Sequence, residues 1–278
     1  NIKTEDSKPN TNNNQSSAAT NNNSQTNSNG STGNNEQNNS SPTSQNQTPQ
    51  EQVTYDGEIV FGSSIKTKGE NVSSSGSVVT INGGGDYHIS GSISNGQLYI
   101  NTVSEEKVKI VLNGVNISNS SGPAIFINEA KRCTIELADN TVSNLTDGGN
   151  DKINNGVIFS NDTLKFKGGG TLNITSGNAH GIASDDDVII ENGIFNINSK
   201  KTGIYAHDDI TIDGGTLEIK SGTNGIKSKG TLNINGGHAI ISGGTKEEKS
   251  SIYASATFNY TGGYIFAAGN MVSPPTAS

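Results

Sequence analysis

The feature that most constrains the fold is an internal repeat in the second half of the chain. Each unit places a Gly-Gly or Asn-Gly pair between two short stretches of alternating apolar residues. The units are residues 163–174, 188–197, 210–219, 232–241 and 258–267. Their first apolar residues, Leu164, Val188, Ile210, Leu232 and Phe258, recur after 24, 22, 22 and 26 residues. Self-similarity at a fixed period of this length is typical of solenoids.

Each unit predicts three short strands. Alternation of apolar and polar residues indicates strands with one buried face, and a third alternating stretch follows each pair at residues 180–184, 202–206, 224–228 and 250–254. Three strands in about 22 residues leave turns too short for crossover helices, so successive units must stack strand on strand. The predicted fold is all-β: a single-stranded, right-handed parallel β-helix with three short strands and about 22 residues per coil.

The register of the repeat predicts the core. Four inward ladders are expected, one apolar residue from each coil. They are Leu164/Val188/Ile210/Leu232/Phe258, Phe166/Ile190/Ile212/Ile234/Tyr260, Leu172/Phe195/Leu217/Ala239/Ile265 and Ile182/Ile204/Ile226/Ile252. Residues 53–160 follow the same pattern less regularly, with an N-terminal cover expected at 53–75 and a loop at 146–155. Pro274-Pro275 should stop strand pairing at the other end.

Composition divides the chain into two parts. Among the first 50 residues, 37 are Asn, Gln, Ser or Thr, which is too little apolar surface to offset the entropy of ordering. We therefore expect a disordered tether at 1–50 and one β-helix domain at 51–278, either complete or a truncated piece of a longer solenoid. Because the chain begins at Asn1, we expect a secreted or cell-surface protein, such as a lipoprotein after removal of its signal.

Charge and apolar content exclude several classes. The net charge is −8, which argues against a nucleic-acid partner. Only 29% of residues are hydrophobic and no run approaches a membrane span. The single cysteine, Cys133, lies in an alternating stretch and is expected to be a buried structural thiol. The four histidines have no transition-metal spacing, so zinc is not expected.

The whole repeat region resembles a known family. Its carriers are the stretches 79–93, 108–117, 122–127 and 135–147, followed by the Gly-Ile and Gly-Gly-Thr coils. From about Ile59 to Asn270 they resemble secreted bacterial carbohydrate-binding proteins with a pectate-lyase-like right-handed parallel β-helix. The resemblance implies extracellular, non-catalytic binding of plant-type polysaccharide such as pectin or polygalacturonate, with calcium. The family's Asp before the third strand is replaced here by His180, Thr202, Asn224 and Ser250.

A corner rich in aspartate is the candidate metal site. Equivalent positions after the third strand hold acidic residues in successive coils, and stacking predicts the columns Asp162/Asp187/Asp209 and Asp186/Asp208. Carboxylates stacked about 5 Å apart repel one another. A hard cation would relieve that repulsion, and calcium accepts oxygen ligands in irregular geometry. The alternative is that these aspartates accept hydrogen bonds from nearby backbone N–H groups in solvated turns.

The candidate ligand surface is an outward line on the third strand. Tyr205, Lys227 and Tyr253 each follow an inward isoleucine by one residue, so they should face solvent in consecutive coils. Aromatic faces can pack on sugar rings, and a lysine can pair with a uronate carboxylate. The alternative is an ordinary solvated face.

Three functions follow from these observations. The first is a non-catalytic binding protein for an acidic polysaccharide, expected to be monomeric. The second is a structural surface module or adhesin in which the solenoid is a spacer. The third is a calcium-dependent pectate lyase-like enzyme, for which Lys227 is one conceivable base and the aspartate corner a conceivable cation site. No Ser/His/Asp elbow, Walker loop or dinucleotide fingerprint is present in the sequence.

Overall fold

The computed structural model describes residues 54–147, 154–245, 249–269 and 273–276. The predicted tether at 1–50 lies outside these ranges. Within them the protein is all-β and forms 26 strands. No described segment is a helix long and apolar enough to cross a membrane.

The strands are short. The first thirteen are β1 (Gly57–Phe61), β2 (Lys66–Lys68), β3 (Val72–Ser75), β4 (Val78–Ile81), β5 (Gly85–Ile93), β6 (Gln97–Asn101), β7 (Lys107–Leu112), β8 (Asn116–Asn119), β9 (Ile125–Glu129), β10 (Arg132–Leu137), β11 (Val142–Asp147), β12 (Gly156–Ser160) and β13 (Leu164–Gly168). The others are β14 (Thr171–Ser176), β15 (His180–Ser184), β16 (Val188–Ile190), β17 (Ile194–Ser199), β18 (Ile204–Ala206), β19 (Ile210–Ile212), β20 (Thr216–Ser221), β21 (Ile226–Ser228), β22 (Leu232–Ile234), β23 (His238–Ser242), β24 (Ile252–Ala254), β25 (Phe258–Tyr260) and β26 (Tyr264–Ala268).

The strands form three parallel sheets that the chain visits in turn. Sheet 1 contains β1, β5, β7, β10, β13, β16, β19, β22 and β25. Sheet 2 contains the end of β5, then β8, β11, β14, β17, β20, β23 and β26. Sheet 3 contains β4, β6, β9, β12, β15, β18, β21 and β24. The predicted parallel β-helix is confirmed, with roughly 24 residues per turn.

The four predicted ladders are in register and form the core. Leu164 pairs with Val188 in sheet 1, Leu172 with Phe195 in sheet 2, and the isoleucine ladder occupies sheet 3. Nearly all ladder members are fully buried. The exceptions are Ile265, which is partly buried, and Tyr260, which is 42% exposed, because both lie in the last described coil. Cys133 belongs to the same core, and burial raises the pKa of its thiol to about 12, as expected for a structural cysteine.

Glycine makes the corner between sheets 1 and 2. The second glycine of the Gly-Gly pair has φ of 89° at Gly215, 86° at Gly237 and 94° at Gly263. Residues other than glycine rarely adopt this left-handed backbone conformation. The repeated Gly-Gly therefore sets the tight turn that keeps successive coils in register.

Antiparallel strands cover the N-terminal end. β2 pairs with the free edge of β1, and β3 pairs with β4. Ile65 and Val72 pack against the core from this cover. The N-terminal edges of sheets 1 and 3 are thereby paired rather than open, which is how sheet proteins avoid uncontrolled edge pairing.

The expected loop at 146–155 is partly wrong. Thr146 and Asp147 belong to β11, where they pair with Thr175 and Ser176 of the next coil. Asp147 is buried and accepts a hydrogen bond from Ser176, so inter-coil pairing extends the strand beyond its apolar alternation. Residues 148–153 of that loop lie outside the described ranges.

Candidate functional site

The predicted outward line lies on sheet 3 as expected. Tyr205 pairs with Lys227, and Lys227 pairs with Tyr253, so the three residues occupy consecutive coils. Their inward neighbours Ile226 and Ile252 are buried, whereas Tyr253 is 39% exposed. Alternation along a strand thus places the isoleucines in the core and this line on the solvent face.

Two contacts order the side chains of this line. Lys227 Nζ lies 5.3 Å from the centroid of the Tyr253 ring, within the range of a cation–π contact. On the other side, the His180 ring stacks on Tyr205 with centroids 5.3 Å apart and an interplanar angle of 21°. The tyrosine rings are therefore partly held in place before any ligand binds, which lowers the entropy cost of binding.

The His180 ring is held in place by a hydrogen bond and is kept neutral by its surroundings. Its Nδ1 accepts a hydrogen bond of 3.1 Å from the Thr202 N–H. Burial, and secondarily the nearby charge of Lys201, lowers the pKa of His180 to about 4. The ring next to Tyr205 is therefore uncharged at neutral pH, with its proton on Nε2.

The line continues through Ala183, which the register also places on this face, to three aromatic residues that the sequence reasoning missed. Ala183 pairs with Phe159, Phe159 with Phe126, and Phe126 with Tyr99. We call the line of Tyr99, Phe126, Phe159, Ala183, Tyr205, Lys227 and Tyr253 the aromatic column. The alternation of β6, β9 and β12 carried the signal, because each aromatic residue there directly follows an inward leucine or isoleucine.

Two buried residues divide the aromatic column into two solvent-accessible segments. Phe159 and Ala183 in its middle are 6% and 2% exposed. Tyr99 and Phe126 are half-buried and pack with ring centroids 5.3 Å apart. Tyr205, Lys227 and Tyr253 form the other segment, which alone combines aromatic rings with a positive charge.

A polar hollow of about 310 Å³ adjoins Phe126. The side-chain amides of Gln97 and Asn119 line it, and both donate hydrogen bonds of 2.8 Å to the carbonyl of Pro123. An aromatic wall beside oriented amides is chemically suited to a hydroxylated ring. The N-terminal segment of the aromatic column therefore has a polar hollow beside its aromatic side chains.

The five predicted aspartates do not form one site. The oxygens of Asp186, Asp187 and Asp208 lie within 4.8 Å of one another, close enough to share a cation. Asp162 instead accepts the Ala130 N–H at 2.9 Å. Asp209 accepts the Thr231 N–H at 2.6 Å.

Electrostatics distinguish these carboxylates further. Asp187 accepts the Asp209 N–H through one oxygen at 2.9 Å. Burial first, and then the charges of Asp186, Asp209 and Asp208, raise the pKa of Asp187. Burial also raises the pKa of Asp162. The three carboxylates of Asp186, Asp187 and Asp208, called the trio below, therefore concentrate negative charge in a small area. Asp162, Asp187 and Asp209 each accept a backbone hydrogen bond from an adjacent coil, which is the arrangement expected in the solvated-turn alternative.

Comparison with known proteins agrees with this architecture. Residues 75–273 match the family described as carbohydrate-binding domain-containing protein. A carbohydrate-binding domain-containing protein of Acetivibrio thermocellus is 34% identical over 146 residues, which are 49% of this chain and 51% of that protein. This chain therefore matches about half the length of that curated relative.

One solved structure shares the fold. It is described as the polysaccharide lyase-like protein from C. thermocellum, gadolinium derivative. The similarity has a TM-score of 0.66 and 28% identity, and it covers 77% of this chain and 96% of that one. With the family match over residues 75–273, these findings show that the chain belongs to the carbohydrate-binding domain-containing protein family.

Proposed function

We propose that the protein is a non-catalytic polysaccharide-binding protein that holds an acidic plant-type glycan, such as pectin or polygalacturonate, on the C-terminal segment of the aromatic column. The observation that carries this proposal is the in-register line of Tyr205, Lys227 and Tyr253 on the solvent face. The tyrosine rings offer apolar faces to sugar rings and Lys227 offers a charge to a uronate carboxylate.

The linear form of the segment suits a chain rather than a single sugar. Parallel strands repeat about every 4.8 Å, so the three residues present a contact at each step along the solenoid axis. A polymer can occupy several steps at once, and linked contacts gain affinity through effective concentration. Oligomers should accordingly bind more weakly as they shorten.

Calcium is proposed as a co-ligand of the Asp186, Asp187 and Asp208 trio. The support is the mutual approach of their oxygens within 4.8 Å, together with the preference of calcium for carboxylate ligands. A bound ion would offset repulsion between the carboxylates and could bridge them to an anionic polymer.

Secretion or surface attachment through residues 1–50 is part of the same proposal, and protease treatment of intact cells would test it.

A glycan panel tests the proposed function. Immobilised pectins, polygalacturonate and neutral plant polysaccharides would be probed with calcium and with chelator. We expect retention on acidic glycans and little retention on neutral ones. Retention on none of them would overturn the proposal and favour the structural surface module.

A lyase is the second candidate because the similar solved structure is described as polysaccharide lyase-like. Elimination from a uronate needs a base at C5 and a cation at the carboxylate. Incubation with polygalacturonate and calcium, followed by ultraviolet absorbance of unsaturated uronides, separates the two. We expect no absorbance increase, and an increase that Lys227→Ala abolishes would establish the enzyme.

A further inference from the structure

The outward face of sheet 1 carries a concentration of positive charge in an acidic protein. A hollow of about 260 Å³ is lined by five basic side chains and Asp86. We call it the basic hollow, and its cations are Lys107, Lys109, Arg132, Lys165 and Lys167. The whole sequence has 18 Lys and Arg against 26 Asp and Glu, and Arg132 is its single arginine.

Strand register brings these cations together. Lys107 of β7 lies directly opposite Arg132 of β10. On the same face, Thr134 lies between Lys109 and Lys165 in successive coils. Neighbouring outward positions are about 4.8 Å apart in a parallel sheet, so the side chains share one small area.

Carboxylates neutralise only part of this charge. Lys109 Nζ lies 2.5 Å from Asp86 and 3.9 Å from Glu136. Lys167 pairs with Glu136 at 2.9 Å. Lys165 pairs with Glu191 at 2.5 Å. Three carboxylates therefore serve three lysines, and Lys107 and Arg132 form no ion pair within the described ranges.

The unpaired cations are the two that face each other. Like charges directly opposite on neighbouring strands destabilise a sheet. An anion bound between Lys107 and Arg132 would offset the repulsion between these two positive charges. Arg132 Nε is buried and has no hydrogen-bond partner in the described part of the chain. Nε is thus not held by a structural acceptor, and the planar fork of the guanidinium is suited to a carboxylate.

We propose that the basic hollow binds a carboxylate of an acidic glycan, with Arg132 and Lys107 as the ligand-contacting residues. This site is on sheet 1, whereas the aromatic column is on sheet 3, so it is a second binding surface. Its volume lies below the roughly 300 Å³ of small-molecule pockets, which fits one uronate group rather than an oligosaccharide. The identity of the ligand rests on the proposed function, but the charge arrangement does not.

The test uses the full chain with Tyr205 and Tyr253 replaced by alanine, which weakens binding at the aromatic column and leaves the basic hollow intact. Binding of polygalacturonate would be measured by calorimetry at low ionic strength for this parent and after adding Arg132→Gln or Lys107→Gln. We expect each substitution to weaken binding about ten-fold, because a hydrogen bond between charged groups is lost. Lys107 is exposed, so its variant stays informative if Arg132→Gln does not fold.

Lys200→Gln is the matched control, since it removes one exposed positive charge outside the hollow. Fully methyl-esterified polygalacturonate should not bind the parent, because its carboxylates are blocked. Equal affinities for the parent, both hollow variants and the control would overturn the inference. Equally tight, Arg132-dependent binding of sulfated dextran or inorganic phosphate would overturn the assignment to carboxylate.

The two proposals fail in different ways. If the tyrosine replacements alone abolish binding, the aromatic column is supported as the glycan-binding surface and the basic hollow is excluded as a second site. Binding that survives those replacements and is lost on Arg132→Gln supports the hollow, even if the column proves to be ordinary surface.

Discussion

Lys227 and Tyr253 lie directly opposite each other on β21 and β24, with the Lys227 ammonium 5.3 Å from the centroid of the Tyr253 ring. The contact places a positive charge and an aromatic face on one line of the solenoid surface. Replacement of Lys227 by alanine should therefore reduce the part of the polygalacturonate affinity that depends on salt, because screening acts on accessible charges. Titrations at low and high ionic strength measure this.

The affinities of both proteins should fall with added salt, and that of the Lys227→Ala variant should fall less, since the basic hollow is its remaining charged site. Lys229→Ala, which removes an exposed positive charge two residues further along the chain, is the control and should retain the wild-type salt dependence. A Lys227→Ala variant with an unchanged salt dependence would contradict a role for this charge.

The fold was predictable from sequence because alternation and the 22–26-residue period act in every coil from Leu164 onward. The inward isoleucines at 182, 204, 226 and 252 could be placed by register alone, and so could Tyr205, Lys227 and Tyr253. Tyr99, Phe126 and Phe159 obeyed the same rule, but they lie where coil length varies: 31 residues separate Cys133 from its partner Leu164.

The aspartate corner shows what register does not determine. Sequence placed Asp162, Asp187 and Asp209 in one column, but side-chain rotamers decide which oxygens face each other. Backbone N–H groups of adjacent coils engage an oxygen of each of these three. The basic hollow was missed for a similar reason, since it combines residues from β7, β10 and β13 whose ion pairs are visible only in three dimensions.

Calcium should stabilise the protein through Asp186, Asp187 and Asp208. A ligand at a hundred times its Kd stabilises the native state by about 2.7 kcal/mol, so the thermal midpoint should rise with calcium and fall with chelator. Asp186→Asn combined with Asp208→Asn should abolish the response. Asp162→Asn should keep it, because that carboxyl lies outside the trio. A full calcium response in the double variant would exclude the trio as the site.

Gly203 should not tolerate a side chain. A Cβ there would lie 2.6 Å from the carbonyl oxygen of Gly225 and in close contact with Ile219 Cγ2. Overpacking of a core costs about 1–3 kcal/mol, so Gly203→Ala should lower the free energy of unfolding by that amount in denaturant titrations. Gly62→Ala, whose Cβ would meet its nearest atom at 3.4 Å, should change it by less than about 0.5 kcal/mol. Equal stability of the two variants would contradict the close approach of the coils at Gly203.

Stability should depend on pH through His180. Its pKa is about 4 in the folded protein, against the ordinary value of 6.5. Between these two pH values His180 is protonated in the unfolded chain but neutral in the folded chain. The folded state is therefore most stable above about pH 6.5, and its stability falls as the pH is lowered toward 4. Between about pH 7.5 and about pH 5, this amounts to about 1–2 kcal/mol.

His180→Asn isolates that effect, because the asparagine oxygen can accept the Thr202 N–H without titrating. The variant should lose less stability than wild type over the same pH interval. The carboxyls of Asp162 and Asp187 have raised pKa values and act in the opposite direction, but they are common to both proteins and cancel in the difference. Identical pH profiles would show that His180 is not a buried neutral ring.

The measurement that tests the central claim most directly is the affinity of Tyr205→Ala and Tyr253→Ala for polygalacturonate. Each should weaken binding by about 1–2 kcal/mol, as for aromatic anchors in interfaces, while the thermal midpoint stays near that of wild type. Tyr264→Ala is the control, since Tyr264 is exposed on sheet 2 and stacks on His238; it should bind as wild type does. If Tyr205→Ala and Tyr253→Ala fold and bind as tightly as this control, the aromatic column is not the glycan-binding surface.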